Sequence, residues 1–331
     1  HTGSVHETFL RVFGQAGEFA IGPAGRTEWK IERPRADGQD AAPDPASLHL
    51  ENQVRASIEK HDPSVTLDQN SSEMIGRFAA ISPQFAALIA ARPGLIEGMA
   101  IPDKDRPITD YEAEFAAYVD TAADRATVLR QMRSLWSRFT LEIAAADVYE
   151  RLPIAEIRNR QTLLAEAAAA TAIRIAVENN LQRFSDIPFH PIILALGKLG
   201  SGTLDYGSDL DLVMSYDDAG NLTPHSAEPE VCSRVVEHFV DLLSSMTRDG
   251  NLYRVDLRLR PHGKNGPNII SLGALIEYIE SEASIWELLA YVQMRALNIG
   301  TGGADHHEAS IRDAIHRRAS REDRATIKHE A

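Results

Sequence analysis

The chain has 331 residues, 34 of them Lys or Arg against 48 Asp or Glu, for a formal net charge of -14. That acidity weighs against non-specific nucleic-acid binding, which draws on clustered Lys and Arg. Cys232 is the one cysteine, so no internal disulfide can form and the expected compartment is cytoplasmic.

The length suits two domains with sizeable cores. No stretch approaches an uncharged membrane span, since even the apolar AEAAAATAIRIAV carries Glu166 and Arg174. The opening HTGSVHETFLRVFG has neither an initiator Met nor a signal-peptide core, and is expected to be the end of a preceding helix in a longer protein. Residues 16–70 are rich in Gly, Pro and Asp, so residues 1–70 are expected to be that helix end and a linker. A helical domain is expected over 71–187. Met132, Leu135, Trp136, Phe139 and Ile143 recur at steps of three and four, which puts them on one buried face. Pro153 permits a fresh start, and Leu164, Ala167, Ala168, Ile175 and Leu181 supply a stripe for a long Ala-rich helix.

The period changes at Pro188. PIILAL, DLDLVMSY and LYRVDLRLRP read as strands, and EVCSRVVEHFVDLLSSM between the last two reads as a crossover helix whose apolar pattern takes in Cys232. Residues 188–331 are therefore expected to form a small mixed sheet with flanking and C-terminal helices, making the whole chain α+β. WELLAYVQMR, residues 286–295, reads as a packed helix, with Glu287 and Arg295 able to face a cleft.

The chemistry is expected in LGKLGSGTLDYGSDLDLV, residues 196–213. Residues two apart on a strand share a face, so Asp209 and Asp211 project together while Leu210 and Leu212 point the other way. Two such carboxylates repel unless a cation lies between them, and Mg²⁺ suits a few carboxylates completed by water and phosphate oxygens. Gly197, Gly200 and Gly202 let backbone approach a polyphosphate, Lys198 adds a mobile charge, and Ser208 offers a hydroxyl. If the strand of VDLRLRP lies alongside, Asp256 brings a third carboxylate to a two-metal site, with Arg258 and Arg260 on its face to steady a leaving pyrophosphate. An isolated D-x-D is common on solvated strand ends, and Arg258 and Arg260 would serve equally as structural ion pairs. The combination points to nucleotidyl transfer with ATP and Mg²⁺.

GKLGSGTLDYGSDLDLV, VDLRLRPHGKNGP and WELLAYVQMRA together resemble the glutamine-synthetase adenylyltransferase family, and SPQFAALIAARPGLIEGM and LRQMRSLWSRFTLEIAAADV extend the likeness to roughly residues 72–300. The resemblance implies a polymerase-beta-type nucleotidyltransferase fold. It also implies attachment of AMP to a tyrosine of glutamine synthetase, or its removal by phosphorolysis in the companion half, and contact with the nitrogen regulatory protein PII. It carries metal binding to Asp209, Asp211 and Asp256 and nucleotide binding to Gly197, Lys198, Gly200 and Ser208. Ser201 and Thr203 stand where the family usually has glycine and glutamate. DYGSDLDLV resembles the adenylylating half more than the deadenylylating one. A regulatory module that binds nucleotide without catalysis is the reading of another class.

Overall fold

The computed structural model describes residues 45–61, 67, 69–96, 99, 101, 104–181, 189–217, 229–246, 250–299 and 303–321. The helix end expected over residues 1–15 lies outside them.

Helices α1 (Pro45–His61), α2 (Gln69–Ile81) and α3 (Pro83–Ala91) come first. The linker expected through residue 70 is thus interrupted by α1. Among its described side chains Val54 and Ile58, four residues apart in a polar helix, are the buried apolar ones, which is why composition concealed it. They join Ile75, Phe78, Phe85 and Ile89 in a cluster closed by Leu141, Ala144 and Ala145.

Helix α4 (Tyr111–Tyr118) begins at Asp110, whose carboxylate accepts from the amide of Ala113. Helix α5 (Arg125–Val148) begins at Asp124, which accepts from the amides of Ala126 and Thr127. Such caps satisfy amides that the first turn leaves unpaired and contribute about 1 kcal/mol each. The α5 face expected to be buried is buried at Met132, Leu135, Phe139 and Ile143, with Trp136 packed against the same cluster. After Pro153, α6 (Ile154–Leu181) buries Leu164, Ala167, Ala168 and Ile175. The Leu181 side chain lies outside the described residues.

A five-stranded mixed sheet follows, built from β1 (Pro191–Ala195), β2 (Leu210–Tyr216), β3 (Val255–Asp256), β4 (Ile270–Ser271) and β5 (Arg295–Ala296). The order is β3-β2-β1-β5, and β4 pairs with the far end of β2. β1 runs antiparallel to β2 and β5, whereas β3 and β4 run parallel to β2. Helix α7 (Gly197–Gly200) is one turn after β1, and α8 (Pro229–Ser244) is the crossover from β2 to β3. Helices α9 (Leu272–Ser281), α10 (Ile285–Tyr291) and α11 (Ala304–Arg321) complete the described chain.

Strand alternation divides the apolar residues between two helical layers. Ile193, Ala195, Leu210, Leu212 and Met214 belong to one cluster with α4, α5, α6 and α8. Ile192, Leu194 and Val213 face the other way, into a cluster with α9, α10 and α11. Phe239 of α8 is fully buried in the first cluster, and its truncation to Ala would cost about 3–5 kcal/mol. Asp211 shares the strand face of Val213, at the end of β2 where the second layer gives way to solvent.

Two further expectations change. LYRVDLRLRP forms a strand only at Val255–Asp256, because the chain turns directly afterwards towards Pro261 and His262, whose φ of 60° is left-handed. WELLAYVQMR is helical only through Tyr291, so Arg295 belongs to β5. Among the described residues, no helix is long and apolar enough to cross a membrane.

Candidate active site

The site assembles where β1 ends, β2 begins and β3 lies alongside. Asp211 of β2 and Asp256 of β3 are register partners in the parallel ladder, and directly paired residues present their side chains on one face. The amide of Leu210 donates to the carbonyl of Arg254 at 2.8 Å, and that of Leu196 to the carbonyl of Asp211 at 2.9 Å. Backbone bonds at the end of β1 and the start of β3 therefore fix the first residues of β2.

Each carboxylate has its own surroundings. Asp209 accepts a hydrogen bond from Nε of Arg254 at 2.6 Å. Asp256 accepts from Nε and Nη2 of Arg258 and from the Arg258 amide, and these contacts hold its carboxyl below the usual range. Asp211 behaves oppositely: burial and then the charges of Asp256 and Asp209 push its carboxyl up, with Arg258 offsetting only part. A carboxylate destabilised by two others gains most from a cation placed among them.

The turn of α7 is shaped around Asp211. Gly197 has a φ of 53°, and a Cβ there would lie 2.6 Å from Oδ2 of Asp211. Only glycine tolerates both the conformation and the approach. At the other end, a Cβ on Gly200 would strike the carbonyl oxygens of Gln293 and Ala195. Lys198 is exposed, and its Nζ donates to Oδ2 of Asp205 at 3.0 Å while Arg158 of α6 donates to Oδ1 at 2.9 Å. Ser208 directly precedes Asp209, and its amide donates to the carbonyl of Asp205 at 3.2 Å.

The arginines expected on the face of Asp256 diverge. Arg258 folds back onto Asp256, and Arg260 donates to the carbonyls of Leu257, Lys264 and Gly266, bracing the turn after β3. Loss of the longer strand explains this, since alternation ends at Asp256. Sequence reasoning also missed Arg254 and Asp205. Arg254 lies next to the strand residues in plain sight; the pairing of Asp205 with Arg158 gives no signal, because that partner lies on a helix 47 residues earlier.

The donor set is the oxygen-rich kind that suits Mg²⁺. Among the described residues no three His, Cys, Asp or Glu side chains already surround a common point where a metal ion could sit. Asp209 and Asp256 are drawn instead to Arg254 and Arg258. A cavity of about 630 Å³ lined by Arg92, Glu114, Tyr118 and Arg138 shares no residue with these carboxylates.

Known proteins place these residues in a family. The family model described as glutamate-ammonia ligase adenylyltransferase matches residues 72–310, a span holding helices α4 to α10, the whole sheet and the three site carboxylates. A protein of Rhodopseudomonas palustris (strain BisB5), named bifunctional glutamine synthetase adenylyltransferase/adenylyl-removing enzyme, is 29% identical over 291 residues, 85% of this chain and 28% of that protein. A Bradyrhizobium diazoefficiens protein of the same name is 31% identical over 228 residues, 66% of this chain and 23% of that protein. One from Idiomarina loihiensis is 26% identical over 273 residues, 77% of this chain and 28% of that protein. The chain thus spans 28% or less of the length of these curated relatives. Matched over most of its length to one family model, the chain belongs to the glutamate-ammonia ligase adenylyltransferase family.

Proposed function

We propose that this chain transfers AMP from ATP to a tyrosine hydroxyl of glutamine synthetase and releases pyrophosphate. The observation that carries the reading is the register pairing of Asp211 with Asp256 beside Asp209 and the Gly197 cradle. The names of the relatives support the substrate, and the resemblance of DYGSDLDLV to adenylylating halves supports the direction. In this reading residues 188–331 are a catalytic domain of polymerase-beta type, and residues 71–187 a helical domain.

Asp209, Asp211 and Asp256 would hold Mg²⁺, which when bound supplies positive charge against the triphosphate oxygens. The contact of Arg254 with Asp209 is exposed on both sides, and such pairs contribute only about 0–1 kcal/mol, so exchanging it costs little. The released Arg254 and Arg258 are then placed to meet phosphate oxygens, whose geometry a guanidinium matches. The α7 turn positions the triphosphate, with Lys198 and Ser208 beside it.

The tyrosine oxygen forms a bond to the α-phosphorus as the bond from that phosphorus to the bridging oxygen breaks. The electron pair leaves with pyrophosphate. Asp256 is the group placed to take the hydroxyl proton. Catalysis in this scheme rests on positioning and electrostatics.

Product analysis tests the direction. With ATP, Mg²⁺ and unmodified glutamine synthetase, pyrophosphate should form in step with tyrosine modification. ADP formed from phosphate and adenylylated glutamine synthetase would assign the removing reaction instead. Neither product, with nucleotide still bound, would leave a regulatory module.

A further inference from the structure

The helix before the sheet grips the nucleotide turn at three successive levels. Arg158, Thr162 and Glu166 of α6 are four residues apart, and such positions lie above one another on one helical face. Nε of Arg158 donates to Asp205 at 2.9 Å, and the other oxygen of that carboxylate accepts from Lys198 in α7. Oγ1 of Thr162 accepts from the amide of Leu204 at 3.2 Å and donates to the carbonyl of Arg158 at 2.9 Å. Glu166 pairs with Nη2 of Arg295, and that guanidinium also donates to the carbonyl of Leu199 at 3.1 Å and, at 3.4 Å, to that of Gly200. Leu204 is fully buried, and Tyr206 sets its ring edge-on to Phe85 of α3 at 5.4 Å.

These contacts leave segment 197–206 little freedom of its own. Its first residue touches the site directly, through Gly197 against Asp211, and Gly200 packs on the backbone carbonyls of Gln293 and Ala195. A movement of α6 along its axis would carry all three anchors together. We infer that the Arg158, Thr162 and Glu166 row positions the nucleotide turn, with Arg295 as intermediary, so that the helical layer sets how the chain binds the triphosphate. The inference deepens the proposed function and rests on it. None of these residues touches a reacting atom; they are positioning residues.

The test uses the 331-residue chain and measures ATP binding by equilibrium dialysis with Mg²⁺, alongside KM for ATP and kcat. Glu166→Gln removes the charge that holds Arg295, and Thr162→Ala removes the acceptor for Leu204. Each should weaken ATP binding and raise KM by roughly ten- to a hundredfold, the scale on which small misplacements act. Thr162→Ser keeps the hydroxyl and should restore wild-type binding. Glu178→Gln, on the exposed side of α6, serves as the control for helix stability. Wild-type affinity in both Thr162→Ala and Glu166→Gln would overturn the inference and leave the proposed function standing. If Glu166→Gln does not fold, equal binding by Thr162→Ala and Thr162→Ser overturns it alone. A wild-type chain that binds no ATP would overturn the proposed function with it.

Discussion

Gly197 and Asp211 are packed so closely that a methyl group on the first would clash with the second's carboxylate, 2.6 Å from Oδ2. Gly197→Ala should therefore cost about 1–2 kcal/mol through its left-handed backbone and also displace Asp211. Gly250 separates the two effects, since its φ is 83° yet nothing lies within 4 Å of a Cβ there. Thermal unfolding should show similar losses for both Ala variants. Adenylyl transfer should fall by roughly a hundredfold or more for Gly197→Ala only. Equal activity in the two would remove the cradle from the account.

Divalent metal should stabilise the fold through Asp211. Burial and two carboxylates destabilise its charge, and a ligand bound only by the folded chain stabilises it by about 2.7 kcal/mol at a hundredfold excess over its Kd. Mg²⁺ should raise the unfolding temperature of the wild-type chain, and a chelator should reverse the rise. Asp211→Asn should show neither response. An equal rise in both proteins would place the metal elsewhere.

Asp205 gives a pH signature. Partial burial pushes its carboxyl up, but the hydrogen bonds from Arg158 and Lys198 outweigh that and leave it below its usual value. A depressed folded value stabilises the fold above the unfolded carboxyl value of about 3.9 and is lost as pH falls through the folded one. Asp205→Asn should thus be less stable than the parent at pH 7, and the gap should close in acid. Urea unfolding across that range decides it; a gap independent of pH would mean the ion pairs contribute nothing.

Cys232 should resist thiol reagents until the chain unfolds. Burial pushes its thiol up to about 11, so at pH 8 only about 0.1% is thiolate even before access is considered. Labelling should follow global unfolding by urea. Rapid labelling of the native chain would contradict the packing of α8.

The residues differ in how plainly the sequence announced them. β1 and β2 were legible because an apolar run and an alternation that turns apolar both end at glycine or aspartate, and α5 because its stripe repeats over about three turns. The pairing of Asp211 with Asp256 was open until topology set β3 beside β2. The alternation of LYRVDLRLRP overstated its strand, since period alone carries no information about the turn into Pro261 that ends pairing. Arg158, Thr162 and Glu166 have a readable helical spacing, but their partners at 205, 204 and 295 are distant in sequence. Only the folded chain brings those charges together.

The central claim is tested most directly by incubating glutamine synthetase with α-labelled ATP, Mg²⁺ and either this chain or its Asp211→Asn variant. The account predicts label on a tyrosine with the wild-type chain and none with the variant, while circular dichroism shows both folded. Equal labelling by the folded variant would contradict it.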